Sequence, residues 1–188
     1  MRSLIFVIAA ALTPLVIGAD NAPSKPQHQT YSQNEIVREV EDFFGEGAQG
    51  LAEVLEKAFA DHGEPNAYIA GDEVSAALGV GVRYGKGWLQ TKSAEPREIH
   101  WRGPSIGFDA GANASKIFIL VYRLDDVPDL FQLYPGVEGS LFFVGGVGMN
   151  YLQSGDTVLA PIRLGAGWRQ GVNVGYMDFT REASVVPL

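Results

Sequence analysis

Charged side chains stand at several places where a strand would otherwise be apolar or bare, and these are the residues that could recognise a ligand. Arg83 is the one large residue in the odd register of Gly79-Val80-Gly81-Val82-Arg83-Tyr84-Gly85-Lys86-Gly87. Arg163 follows Pro161-Ile162 near the end of an apolar run, and Arg169 lies beside Trp168. Lys92 and Lys116 sit at strand boundaries, and Asp109 closes another strand-like run. Guanidinium and ammonium groups so placed can form a pocket for a phosphate or carboxylate head group. Arg83, Lys92, Asp109, Arg163 and Arg169 are therefore the ligand-binding candidates. Each cation can also pair with a nearby acid or carry its charge to solvent along its aliphatic stem.

Catalytic patterns are weaker. Asp72 and Glu73, with Asp109 as a third carboxylate, offer the acid pair that glycoside hydrolysis uses, although adjacent acids in a turn are usually solvated. His28, His62 and His100 lack the spacing of zinc ligands, and there is no cysteine to supply a thiolate, a disulfide or an acylated anchor. Gly103-Pro104-Ser105-Ile106-Gly107 comes close to a nucleophile elbow and is read as out of register. Gly45-x-Gly47-x-x-Gly50 has the letters of a dinucleotide fingerprint. It follows a helical period and no alternation of strands and helices comes after it, so it reads as a turn between helices. Asn113-Ala114-Ser115 matches a glycosylation acceptor, which matters only on a eukaryotic secretory route. No metal and no cofactor is expected.

Elements of several kinds must position these groups. The 188 residues are 46% hydrophobic and 19% charged, and such a chain can repay its ordering entropy. The net charge of −8 repels phosphate backbones, which excludes nucleic acid as the expected partner. Met1-Arg2-Ser3, the uncharged run Leu4 to Ile17 and the small residues Gly18-Ala19 form a secretory signal peptide, cut near Ala19. The apolar run is shorter than a membrane span of ~20 residues and contains Pro14. Residues 20–30 read as a flexible lead-in, 31–180 as a single domain and 181–188 as a tail.

Ser32 and Glu35 form a capping box, and Ile36, Val37, Val40, Phe43 and Phe44 follow at helical spacing up to Gly45. A second helix is expected from near Ala48 to Gly63. From Ala67 onward the period is two. Expected strands are Ala67–Ala70, Gly79–Gly85, Trp88–Thr91, Ile99–Trp101, Ser105–Asp109, Lys116–Tyr122, Ser140–Tyr151, Thr157–Leu164 and Gly167–Phe179, with breaks in the longer ones. Asp126 as cap and Pro128 in a first turn predict a helical turn between them. Glycines alternating with bulk give a strand one bare face, which permits close backbone approach or sharp bending. The fold class is therefore mainly β (α+β): a small closed or nearly closed antiparallel barrel of about eight strands, with two N-terminal helices laid against the glycine face.

Several stretches taken together go further. They begin at Tyr31-Ser32-x-Asn34-Glu35-Ile36, Phe43-Phe44-Gly45, Glu56-Lys57-Ala58-Phe59 and Pro65-Asn66-Ala67-Tyr68-Ile69. Val82-Arg83-Tyr84-Gly85-x-Gly87, Trp101-x-Gly103-Pro104-Ser105 and Gly136-Val137-x-Gly139-Ser140 follow. Gly145-Gly146-Val147-Gly148, Ala160-Pro161-Ile162-Arg163-x-Gly165 and Phe179-Thr180 complete the set. In these the chain resembles the envelope integrity protein A family. The resemblance implies a periplasmic Gram-negative protein with a small β-barrel, supporting envelope integrity and stress resistance; it supplies no catalytic residues. Gly81–Gly87, Ser105–Ala112 and the Ile117–Val121 run are also similar to SYLF-type lipid-binding domains, which implies contact with lipid or a membrane surface.

The expectation is a non-enzymatic periplasmic protein that binds a lipid or glycolipid-type envelope component, with peripheral membrane contact. The rival readings are an outer-membrane β-barrel and a hydrolase acting on an envelope glycan through Asp72, Glu73 or Asp109. A membrane strand would alternate lipid-facing residues, whereas Lys116–Tyr122 is continuously apolar, as if buried on both faces.

Overall fold

A computed structural model describes residues 29–45, 50–164 and 175–183, without the side chains of 75–80 and 105–114. The expected signal peptide, most of the expected lead-in, Arg169 and the end of the expected tail lie outside the described residues.

Two helices open the described chain: α1 (Gln33–Phe44) and α2 (Leu51–His62). The capping box closes as expected, with the Ser32 amide donating to Glu35 Oε2 at 2.8 Å and the Glu35 amide donating to Ser32 Oγ at 3.4 Å. Gly45 caps the end of α1 and Gly50 the start of α2, and the remainder of the expected turn between them, residues 46–49, lies outside the described residues. Eight strands follow: β1 (Ala67–Thr91), β2 (Ala94–Tyr122), β3 (Leu133–Pro135), β4 (Phe142–Val144), β5 (Val147–Met149), β6 (Leu152–Ser154), β7 (Thr157–Leu164) and β8 (Tyr176–Thr180). The helical turn appears as a 3-10 segment at Val127–Leu130, with Leu130 buried.

The fold is mainly β, with every described pairing antiparallel. The first six expected strands are in fact two. β1 and β2 form one hairpin of 25 and 29 residues, paired from Ala67↔Val121 to Thr91↔Ala94 with register shifts near Ser75/Ala77 and Leu89/Thr91. Glycine in these strands bends the backbone without interrupting its hydrogen bonds, so the apparent breaks are curvature. Conversely, Ser140–Tyr151 divides at Gly145-Gly146, both at positive φ, into the hairpin β4–β5. Such turn geometry favours glycine.

The sheet curls because β2 is long enough to use one edge twice. Residues 100–102 pair with β8, and residues 117–122 pair with β7. β8 pairs onward with β3, β7 with β6, and the bridge Gly136↔Leu152 joins β3 to β6. The pairings thus run in a circuit and form a barrel-like body. β1 bends across itself inside it. A Cβ on Gly71 would lie 2.3 Å from the Lys86 carbonyl oxygen and 2.7 Å from Gly87 Cα.

Alternation along β2 and β7 assigns the two faces. Ile117, Ile119, Val121 and Leu159 face inward, with Ile69, Leu89, Ile99, Trp101, Tyr134 and Phe179. Phe118, Leu120, Tyr122, Val158, Ala160 and Ile162 face outward and are covered by Ile36, Val40, Val54, Leu55 and Ala58 of the helices. Both faces are therefore buried, which is why these strands read as continuous apolar runs. The helices lie on this aromatic and aliphatic outer face rather than on the glycine face. Their own apolar stripes need bulk to pack against, and a bare face offers none. The glycines line the interior, where Trp101 fills the space that Gly85 leaves.

Asn66 fastens the open end of the β1–β2 hairpin. Its side-chain amide donates to the Leu124 carbonyl at 2.7 Å and its oxygen accepts from the Leu124 amide at 3.2 Å, both buried. Asn66→Ala leaves both backbone groups without partners and is expected to lower stability by about 2 kcal/mol in urea unfolding.

Candidate functional site

The inward register of β1, β2 and β7 brings four side chains together at one level of the interior. On β1, residues 67, 69, 71 and 73 share the inner face, so Glu73 follows Ala67 and Ile69 inward while Asp72 is exposed on the opposite face. On β7, Arg163 continues the inner row of Leu159. Trp101 and Arg83 enter from the other half of the β1–β2 hairpin.

Glu73 is the hub. Its Oε2 accepts from Arg163 Nε at 2.7 Å, and its Oε1 accepts from Arg163 Nη2 at 2.9 Å and from Trp101 Nε1 at 2.9 Å. Arg83 Nε stands 3.6 Å from Oε2. Side-chain exposure is 2% for Glu73, 5% for Arg163 and 20% for Arg83. Burial alone would favour the neutral carboxyl. The Arg163 charge and its paired hydrogen bonds, then Arg83 and Trp101, override that and hold the Glu73 pKa below its ordinary value. Arg83 shows the counterpart. Burial and the like charge of Arg163 lower its pKa, and Glu73 offsets only part of this. Among the described residues two guanidiniums share one carboxylate, so these groups together carry a surplus positive charge.

The other charged candidates stand apart. Lys92, at the turn of the hairpin, pairs with Glu35 at 2.7 Å and lies 5.0 Å from the Tyr31 ring centroid, fastening the turn to α1. Lys116 donates to the Phe43 carbonyl at 2.7 Å and also ties the sheet to that helix. Asp109 lies opposite Ala77 in the β1–β2 ladder. Arg169 is outside the described residues.

The adjacent acids Asp72 and Glu73 do not form a catalytic pair, since strand alternation sends them to opposite faces. Gly103–Gly107 fits the G-x-S-x-G pattern letter for letter, contrary to the out-of-register reading. It lies within the continuous strand β2, whereas a nucleophile elbow needs a strand-to-helix turn. Among the described residues no group of three or more acidic, histidine or cysteine side chains is arranged to hold a metal ion. Sequence reasoning missed Trp101 as a hydrogen-bond donor and Glu73 as the partner of two arginines. Period two from Ala67 places Glu73 on the inner face. The hairpin register that brings Arg83 back to it is invisible without knowing that β1 is continuous.

The family model described as envelope integrity protein A matches residues 29–188. The crystal structure of a β-barrel-like, uncharacterized protein from Brucella abortus is similar over 85% of this chain and 99% of that one. The identity is 43% and the TM-score 0.77. No curated protein matches significantly.

Proposed function

Because the chain belongs to the envelope integrity protein A family, we propose that it is a non-enzymatic periplasmic protein, exported by a signal peptide cut near Ala19, that supports the cell envelope by binding a lipid or glycolipid-type component. The observation that carries this reading is the state of Glu73. A general acid must give up a proton and a nucleophile must keep a free lone pair. Glu73 is ionised by its neighbours and has both oxygens engaged by donors. Such a cluster suits recognition of charge, not turnover. Further support comes from the packing. The strand run 117–122 has the inner core on one side and the helices on the other, so it presents no row of residues to lipid as a membrane-spanning strand does. The inner cluster is filled by side chains, so a ligand sits at the barrel's surface with its head group directed inward.

The protein isolated from cells is extracted with organic solvent and the extract analysed by mass spectrometry. A lipid or glycolipid near one equivalent is the expected result. An extract free of both, together with no binding in titration against envelope lipids, overturns the reading.

A further inference from the structure

Charge balance among the described residues of the barrel points to the ligand chemistry, given that the protein binds an envelope component as proposed above. Arg163 and Glu73 neutralise one another through two hydrogen bonds. Arg83 adds a second guanidinium whose ion pair with Glu73, at 3.6 Å, is longer than a hydrogen bond. The rest of the Glu73 carboxylate is already taken by Arg163 and Trp101. Arg83 thus has charge and donors to spare in a setting that shields it from bulk water, where an uncompensated cation is costly. It is also the exposed member: a fifth of its side chain is accessible, while Glu73 and Arg163 are sealed. An incoming anion therefore meets Arg83 first. The neighbouring inward positions, Gly85 and Gly87, carry no side chain beside it.

We propose that Arg83 receives a monoanionic phosphate diester, with the Glu73–Arg163–Trp101 cluster acting as the fixed base that orients it. One surplus positive charge matches one negative charge. A guanidinium engages two phosphate oxygens in parallel, which an ammonium cannot do. A dianionic phosphate monoester would leave a net negative charge beside Glu73, so the diester is the preferred class.

The test uses the full chain and two probes: glycerophosphoglycerol as a soluble diester, and phosphatidylglycerol vesicles set against phosphatidylcholine vesicles. Arg83→Met removes the charge but leaves the neutral Glu73–Arg163 pair intact, so the barrel folds; the thermal midpoint verifies this. Arg83→Lys keeps the charge without the fork, and Lys86→Met, on the exposed face of β1, controls for general attraction to anions. The expected result is binding of both probes, weakened about tenfold or more by Arg83→Met, less by Arg83→Lys and not by Lys86→Met. Arg83-dependent binding of the soluble diester alone keeps the site and overturns a membrane lipid as its source. Vesicle binding equal in the wild type and Arg83→Met overturns the site and leaves the broader binding function standing. No binding of either probe by the folded wild type overturns the inference.

Discussion

Arg163→Met is expected to lower the unfolding free energy by about 3–5 kcal/mol, because it leaves Glu73 buried with a charge and without its forked partner. The loss is not the worth of the ion pair alone. It is chiefly the cost of an ionised carboxylate in a dry interior, left among the described residues with the Trp101 indole and the more distant Arg83 beside it. Glu73→Leu should be comparably damaging, since it takes from the buried Arg163 guanidinium the carboxylate that neutralises it. The double variant Glu73→Leu/Arg163→Met removes both charges of the pair and should be more stable than the sum of the singles by over ~1 kcal/mol. Recovery stays partial because Trp101 loses its acceptor. The same cluster sets an acid limb. The folded Glu73 pKa lies below its ordinary value of 4.5, so the unfolded chain binds more protons in the interval between the two values. The contribution is complete above the unfolded pKa and is lost as pH falls through the folded one. Urea midpoints of the wild type should decline on acidification below about pH 4.5, and Glu73→Gln, weaker at neutral pH, should decline less. Additive single losses, or parallel acid limbs, would show that the cluster is not coupled.

Much of this arrangement was legible in the residues, and the illegible part has a physical reason. The Ser32–Glu35 capping box, the 3-10 turn after Asp126 and the strand Thr157–Leu164 follow from local chemistry alone, and they stand where expected. The continuity of Lys116–Tyr122 as a doubly buried strand was equally local. Long-range register was not. Gly71 and Gly87 fall in the gaps between expected strands, yet here their backbones meet and one continuous strand bends across itself. The two arginines were singled out by their contrast with neighbouring glycine and aliphatic residues. Their shared partner was not, because Glu73 and Arg163 are 90 residues apart and meet only when β2 pairs with both β1 and β7. The helices were misplaced because a bare face was read as an invitation to a helix, whereas the barrel uses that bareness internally.

The second large effect concerns that internal use. Gly71→Ala should cost about 3 kcal/mol or more, toward the upper end of overpacking in a tight core, because the added methyl would meet the Lys86 carbonyl and Gly87 Cα, both backbone. No rotamer change can relieve the clash; the crossing halves of β1 must separate, and with them the inner face that carries Glu73. Gly85→Ala fails for a different reason. Its methyl would fall 2.0 Å from Trp101 Cε2 and 2.2 Å from Trp101 Nε1, both side-chain atoms. A smaller ring should therefore relieve it. Trp101→Phe is itself destabilising, since it gives up buried area and the hydrogen bond to Glu73. Combined with Gly85→Ala it should nonetheless be better than the sum of the two single losses by about 1 kcal/mol or more. Combined with Gly71→Ala, whose closest obstacle is the Lys86 carbonyl, Trp101→Phe should give no such recovery. Equilibrium unfolding of the two cycles distinguishes backbone crossing from ring packing. A wild-type midpoint for Gly71→Ala would mean that β1 does not cross itself there.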